Sequence, residues 1–185
     1  GIVIYNSIAV SDLKKCENGY SFSLNNKHRF LAQKVIIATN GFAKNLLPDL
    51  DIQPARGQVL VTSKIEGLAV KGAFHYDAGY FYFRNIGDRL LLGGGRNLDF
   101  DGEQTTEMTT SERIQNRLEQ LLSENIIPAK KYSIEYRWSG IMGVGKTRNP
   151  IIQSVDKDLF CAVRMGGMGV AIGSLAGKEV ANLVL

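Results

Sequence analysis

Two glycine-rich stretches in this chain of 185 residues could hold a phosphate or another electron-rich group. The first is GIMGVGKT, Gly140 to Thr147. It satisfies every constrained position of G-x-x-x-x-G-K-[ST], in which backbone N–H groups cradle phosphates and the lysine reaches the terminal ones. The second runs Arg164-Met165-Gly166-Gly167-Met168-Gly169-Val170, after the apolar run Leu159–Val163 and before a long helical pattern. Glycines there leave no Cβ between backbone and ligand. A helix N-terminus adds unpaired N–H groups and a partial positive charge. Such an end favours a negative or electron-rich atom by about 0.3–2 kcal/mol.

The elements around each stretch decide between them. A phosphate loop needs a helix beginning at its Lys-Thr pair. Lys146-Thr147 is followed by Arg148, Asn149 and Pro150, then by strand-like Ile151-Ile152. Pro150 biases Asn149 away from the helical region, and no apolar strand ending in Asp sits where a magnesium partner belongs. Nucleotide hydrolysis is therefore the third-ranked reading, and Gly140–Thr147 is expected to be a flexible turn between two strands. The second stretch has the strand, turn and helix that the first lacks. Spacing alone leaves it open whether this is a ligand site or a tight strand-to-helix turn without a ligand. Gly173 and Gly177, four apart, are expected to let the helix pack closely on a strand.

Residues 2–10 and 20–31 read as strands, with turns at Glu17-Asn18-Gly19 and Asn25-Asn26-Lys27. Val35–Ala38 is a continuous apolar run, suited to a strand buried on both faces of a parallel or mixed sheet. A short helix over 42–47 stops at Pro48. From Pro54 the character changes. Gly57–Thr62, Ala73–Tyr76, Tyr80–Arg84 and Arg89–Gly93 form an antiparallel meander, with a hairpin turn at Asn85–Asp88. Asn97–Thr106 is polar and loop-like. Thr109-Thr110-Ser111-Glu112 reads as a capping box for a helix carrying Ile114, Leu118, Leu121 and Leu122. Ser133–Trp138, Ile151-Ile152 and Leu159–Val163 read as strands, and Gly169–Leu185 as the last helix. The fold class is α+β.

Hydrophobic residues make up 44% of the chain and charged residues 22%, an ordinary globular composition with no run long enough to span a membrane. Cys16 and Cys161 are too few and too far apart for a metal site or a disulfide framework; both read as reduced thiols of a cytoplasmic protein. The net charge of +4 is spread over small basic groups without an aromatic-interleaved stripe, which argues against a nucleic-acid surface. His28 and His75 lack ligand spacing, and no metal is expected. The chain opens in strand-like sequence without Met and is expected to be a piece of a longer protein.

Five segments, in order, resemble the second half of the FAD-dependent amino acid oxidase and amine oxidoreductase superfamily, which includes glycine oxidase, sarcosine oxidase and gamma-glutamylputrescine oxidoreductase. They are GIVIYNSIAVSDL, KVIIATNGFAKNLLP, PARGQVLVT, GYFYFRNIGDRLLLGGG, and the closing stretch from Tyr136 to Val184. The resemblance covers essentially the whole chain. It implies part of an FAD-binding domain over 1–45 and 137–185, and most of a substrate domain, an antiparallel sheet with a flanking helix, over 46–136. It further implies oxidation of a C–N bond of a small amine or amino acid by hydride transfer to FAD.

On this resemblance Val10 lies against the adenine, and Ala38, Thr39 and Gly41 lie along the ribose and pyrophosphate. Gly166, Gly167, Met168, Gly169 and Val170 face the pyrimidine end of the flavin. Tyr80, Tyr82 and Arg84 are the candidate catalytic residues, and Arg56 and Gln58 are structural. Met142 stands where the amino-acid oxidases carry a carboxylate-binding arginine, which leans towards an amine or other non-carboxylate substrate. Gly140 stands near the position of the flavin-linking Cys of the sarcosine oxidase branch, so the FAD is expected to be non-covalent. The N-terminal G-x-G-x-x-G element is not in this sequence. The isolated chain is therefore expected to be inactive, to bind FAD weakly or not at all, and to associate with its missing N-terminal half or with itself through an exposed sheet edge. A non-enzymatic α+β ligand-binding or interaction domain is the alternative.

Overall fold

The computed structural model describes residues 1–185 and divides into two units, residues 1–53 with 142–185 and residues 54–141. In chain order, the first unit opens with β1 (Val10–Cys16), β2 (Gly19–Leu24) and β3 (His28–Ala32), an antiparallel three-stranded sheet. Its turns fall at the two expected places, and Asn25 and Asn26 take φ of 50° and 55°, a left-handed conformation that asparagine tolerates. β4 (Val35–Ile37) follows, then a 3-10 helix over Asn40–Asn45.

β5 (Gln53–Thr62) enters the second unit, where β6 (Ala73–Tyr76), β7 (Phe81–Ile86) and β8 (Arg89–Gly94) form the expected meander. α1 (Glu112–Leu121) runs on into a π-turn over Leu122–Ile126, and β9 (Ile134–Val144) completes a five-stranded sheet in the order β6-β7-β8-β5-β9. Alternation along β7 sends Phe81 and Phe83 to one face and Tyr82 and Arg84 to the other. The first face packs on α1: Leu60, Phe81, Leu90 and Leu92 of the sheet form one core with Ile114, Leu118, Leu121 and Leu122. Full burial of each such side chain stabilises by about 1.5–3 kcal/mol.

Returning to the first unit, β10 (Ile151–Asp156) and β11 (Leu159–Val163) form a hairpin, and β11 pairs with β4 in parallel. α2 (Gly169–Val184) lays Ala176 and Val180 on Phe160 and Ala162. The other side of β11 packs Leu159, Cys161 and Val163 against Ile37, Ala43, Leu47, Ile52 and Tyr20. Asp156 ties the two sheets of this unit together, accepting hydrogen bonds from Tyr20 at 2.8 Å and Lys15 at 2.5 Å. The Lys15 ammonium, then the Lys157 N–H and the Tyr20 hydroxyl, hold its pKa down at about 2. No helix is long and apolar enough to cross a membrane.

Several sequence expectations are corrected. Residues 2–9 form no strand; Ile2, Val3, Ile4 and Tyr5 are strongly exposed, because an extended segment becomes a strand only when another backbone pairs with it. β4 is not buried on both faces, since Ile36 is 42% exposed. Gly140–Val144 belongs to β9 rather than to a flexible turn, and no helix follows Lys146. That geometry is incompatible with a phosphate loop. The capping box does not form. Ser111, not Thr109, is the N-cap and makes no side-chain cap bond. Both hydroxyls are taken elsewhere: Thr109 accepts from Arg56 at 2.8 Å and Ser111 accepts from Gln58 at 2.9 Å. Gly173 and Gly177 do not pack on a strand, for a Cβ on either would meet nothing within 4 Å.

Candidate functional site

In the first unit, the parallel pairing of β4 with β11 brings the C-terminal ends of both strands to one edge. That edge is where open α/β sheets bind ligands. Ala38 and Thr39 leave β4 there, both exposed, and buried Gly41 lies in the 3-10 helix behind them. Arg164 leaves β11 at the same edge and starts the turn into α2. Three residues of that turn are left-handed: Arg164 at φ 61°, Gly166 at 56° and Gly167 at 85°. Gly166 and Gly167 are exposed, so the turn presents bare backbone.

Hydrogen bonds fix the turn from three sides. The Met165 N–H donates to Asn40 Oδ1 at 3.1 Å, and the Gly166 N–H donates to the Gly143 carbonyl at 3.0 Å. The Met168 N–H closes the turn on Met165 O at 2.8 Å. Gly143 must be a glycine, since its Cβ would stand 2.7 Å from both Asn40 Oδ1 and Ile52 Cδ1. Arg164 is buried and serves as the hub. It donates to Asn149 O at 2.8 Å, Thr147 Oγ1 at 3.0 Å, Asp51 O at 2.9 Å and Asp51 Oδ2 at 2.7 Å. The lysine-threonine end of the phosphate-loop pattern thus braces the other glycine turn. Thr147 accepts from Arg164, and the Lys146 N–H donates to Asp51.

α2 begins immediately after this turn, with Met168 and Val170 exposed at its first residues. The opening N–H groups of any helix lack intrahelical acceptors. Here they project beside a glycine turn with no acidic residue in the first helical turn to satisfy them. The donor set is therefore neutral N–H groups with a helix dipole behind them, which suits an electron-rich atom. The structure brings Ala38, Thr39, Gly166, Gly167, Met168, Gly169 and Val170 to this one edge. Val10 lies in the other sheet of the unit, where it opens β1 opposite Leu24 and is 44% exposed. Asn40 and Arg164 are not among the site residues expected from the sequence. The signal for Asn40 was its place before Gly41, where a residue tolerant of left-handed φ was needed; its φ is 43°.

In the second unit, Tyr82 and Arg84 lie on the sheet face opposite α1. Tyr80 precedes β7, with its N–H bonded to Asp77 O at 2.9 Å. The Tyr82 ring lies over Gly93, whose Cβ would come within 2.6 Å of its Cζ and hydroxyl. Burial raises the Tyr82 pKa above its ordinary value. Arg84 donates through Nε to the Asn85 carbonyl at 3.3 Å. Behind this face, Glu103 is 1% exposed. It accepts two hydrogen bonds from Arg56, at 2.9 and 2.7 Å, and a bifurcated pair from Gln58 Nε2, both at 2.9 Å. Arg56 and Gln58 are therefore structural, as expected.

Residues 1–183 match the family model described as FAD dependent oxidoreductase. A curated relative, the probable oxidoreductase OrdL of Rhizobium meliloti, is 26% identical over 161 residues, covering 83% of this chain and 36% of its own length. Two solved structures share the fold. Glycine oxidase from Geobacillus kaustophilus superposes with a TM-score of 0.82 at 19% identity, over 97% of this chain and 48% of the other. Iminodiacetate oxidase from Chelativorans sp. BNC1 gives 0.76 at 22% identity, over 96% and 48%. The chain thus spans about a third of the curated relative and about half of each of these structures.

Proposed function

Because the chain belongs to the FAD dependent oxidoreductase family, we propose that it is the C-terminal portion of an enzyme that oxidises a C–N bond of an amine or amino acid with non-covalently held FAD. One observation carries this reading. An exposed, side-chain-free turn and a helix N-terminus stand at the C-terminal edge of a parallel strand pair, locked there by Asn40 and Arg164. Residues 1–45 and 137–185 are assigned to the cofactor domain and 46–136 to the substrate domain.

When bound, the flavin supplies a hydride acceptor. The chain supplies the rest. The N–H groups of Gly167, Gly169 and Val170 would hold the flavin's electron-rich atoms, and the dipole of α2 would favour negative charge there. Ala38, Thr39 and Gly41 would hold the ribose and pyrophosphate, and Val10 the adenine. Tyr80 and Tyr82 orient the substrate and exclude water, with the Tyr82 hydroxyl as a neutral hydrogen-bonding group. Arg84 is the third substrate-facing group. The isolated chain is proposed to be inactive, to bind FAD weakly, and to complete its site with the N-terminal half of the enzyme.

Amide NMR of the chain, titrated separately with FAD and ATP, tests this. FAD is expected to shift the amides of Ala38, Thr39 and Gly166–Val170, saturating only at high concentration. Amides of Gly140–Thr147 responding to ATP, with no response to FAD at the turn, would sink the flavin reading. Turnover of an amine by the chain with added FAD would overturn its assigned inactivity.

A further inference from the structure

The ion pairs of the second unit are made by Arg56, Arg89, Arg113 and Arg137; Arg96 takes part in none of them. Its Nε is enclosed and has no hydrogen-bond partner. Its guanidinium lies over the Phe100 ring, 4.9 Å from the centroid, and Phe100 meets Tyr80 edge-on at 6.2 Å. Burial lowers the Arg96 pKa, so the charged form is held without a full solvent shell. The one carboxylate that acts on it from within the core, Glu103, has its oxygens committed to Arg56 and Gln58.

The backbone makes this placement rigid. Gly94 and Gly95 take φ of 116° and 79°. A Cβ on Gly94 would stand 2.0 Å from the Tyr80 carbonyl, and the Gly95 N–H donates to that same oxygen at 2.9 Å. Only a Gly-Gly step brings the chain this close to Tyr80 and then delivers Arg96 beside it. A partly desolvated cation without a counter-charge is costly. A carboxylate meets a guanidinium fork with two parallel, charge-assisted hydrogen bonds. Phe100 and Tyr80, in edge-on contact with each other and each 44% exposed, offer apolar surface beside the guanidinium.

We propose that Arg96, flanked by Tyr80 and Phe100, is an anionic subsite that takes the carboxylate of a small substrate with an apolar or aromatic body. This rests on the reading of residues 46–136 as the substrate domain. It assigns carboxylate recognition to a residue other than the one Met142 replaces, and returns amino carboxylates to the candidate substrates.

The test uses benzoate and its neutral isostere benzamide on the full 185-residue chain without flavin, read by the Arg96 Nε–H resonance and tyrosine fluorescence. Benzoate is expected to shift both, saturably, and benzamide to bind at least about tenfold more weakly. Arg96→Lys is expected to retain part of the affinity and Arg96→Met to lose it. Equal binding of benzoate and benzamide to the parent chain overturns the subsite whether or not either variant folds. So does benzoate binding to Arg96→Met as to the parent. Because no flavin is present, a failed FAD titration with an intact benzoate response would count against the cofactor reading alone.

Discussion

Glu103 shows how a single residue can be placed by contacts that its own neighbourhood does not announce. It lies in the polar stretch Asn97–Thr106, which reads as a solvated loop, yet it is 1% exposed. Its partners Arg56 and Gln58 lie 47 and 45 residues away in sequence. Burial pushes its pKa up, but hydrogen bonds from Arg56, Gln58 and Ser111 outweigh that, and the net shift is below the usual 4.5. A carboxylate with a depressed folded pKa contributes stability that is fully present above its unfolded pKa and is lost as pH falls through the folded one. Glu103→Gln leaves Arg56 buried with no counter-charge, and is expected to lower the unfolding free energy by about 3 kcal/mol at neutral pH. In urea melts, the gap between parent and variant should close as pH is taken well below 4.5. A gap that stays constant with pH would show that Glu103 acts through packing rather than through charge.

At the scale of elements, legibility followed locality. The meander of the second unit was readable because alternation and the Asn85–Asp88 turn are written within a few residues. The helix starting at Gly169 was readable for the same reason. The start of α1 was not: a capping box depends on the hydroxyls being free, and the buried Glu103 network claimed them from Thr109 and Ser111. The strand proposed for residues 2–10 failed because alternation describes a competent segment without naming its partner. The candidate glycine turn was legible as strand, turn and helix, whereas the hydrogen bonds of Arg164 and Asn40 that hold it are set by tertiary contacts. Gly173 is a sharper case. Its spacing from Gly177 suggested close packing, but both face open space. Gly173→Ala is expected to stabilise the chain by about 0.5–1 kcal/mol, through the lower helix propensity of glycine alone. A urea melt in which the variant is instead less stable would show that a backbone does approach this face of α2.

At the scale of the molecule, the apolar groups left outside the cores are unevenly placed. In the first unit Ile2, Val3, Ile4 and Tyr5 are strongly exposed, and so are Val170 and Leu175 on α2, with Ile36 on β4. β4 is also the outer strand of its sheet, with β11 as its single partner. An edge strand carrying no charge, beside exposed aliphatic side chains, is a template for pairing with another backbone. Lys34 flanks it, but its ammonium is engaged by the Val184 carbonyl. The chain is therefore expected to self-associate, and sedimentation velocity over a wide concentration range measures this. Ile36→Lys places a charge on the exposed face of the edge strand without disturbing buried Ile37, and should shift the distribution towards monomer. If the parent sediments as a monomer throughout, the uncharged β4 edge does not drive association, and the case for a covering N-terminal half is weakened with it.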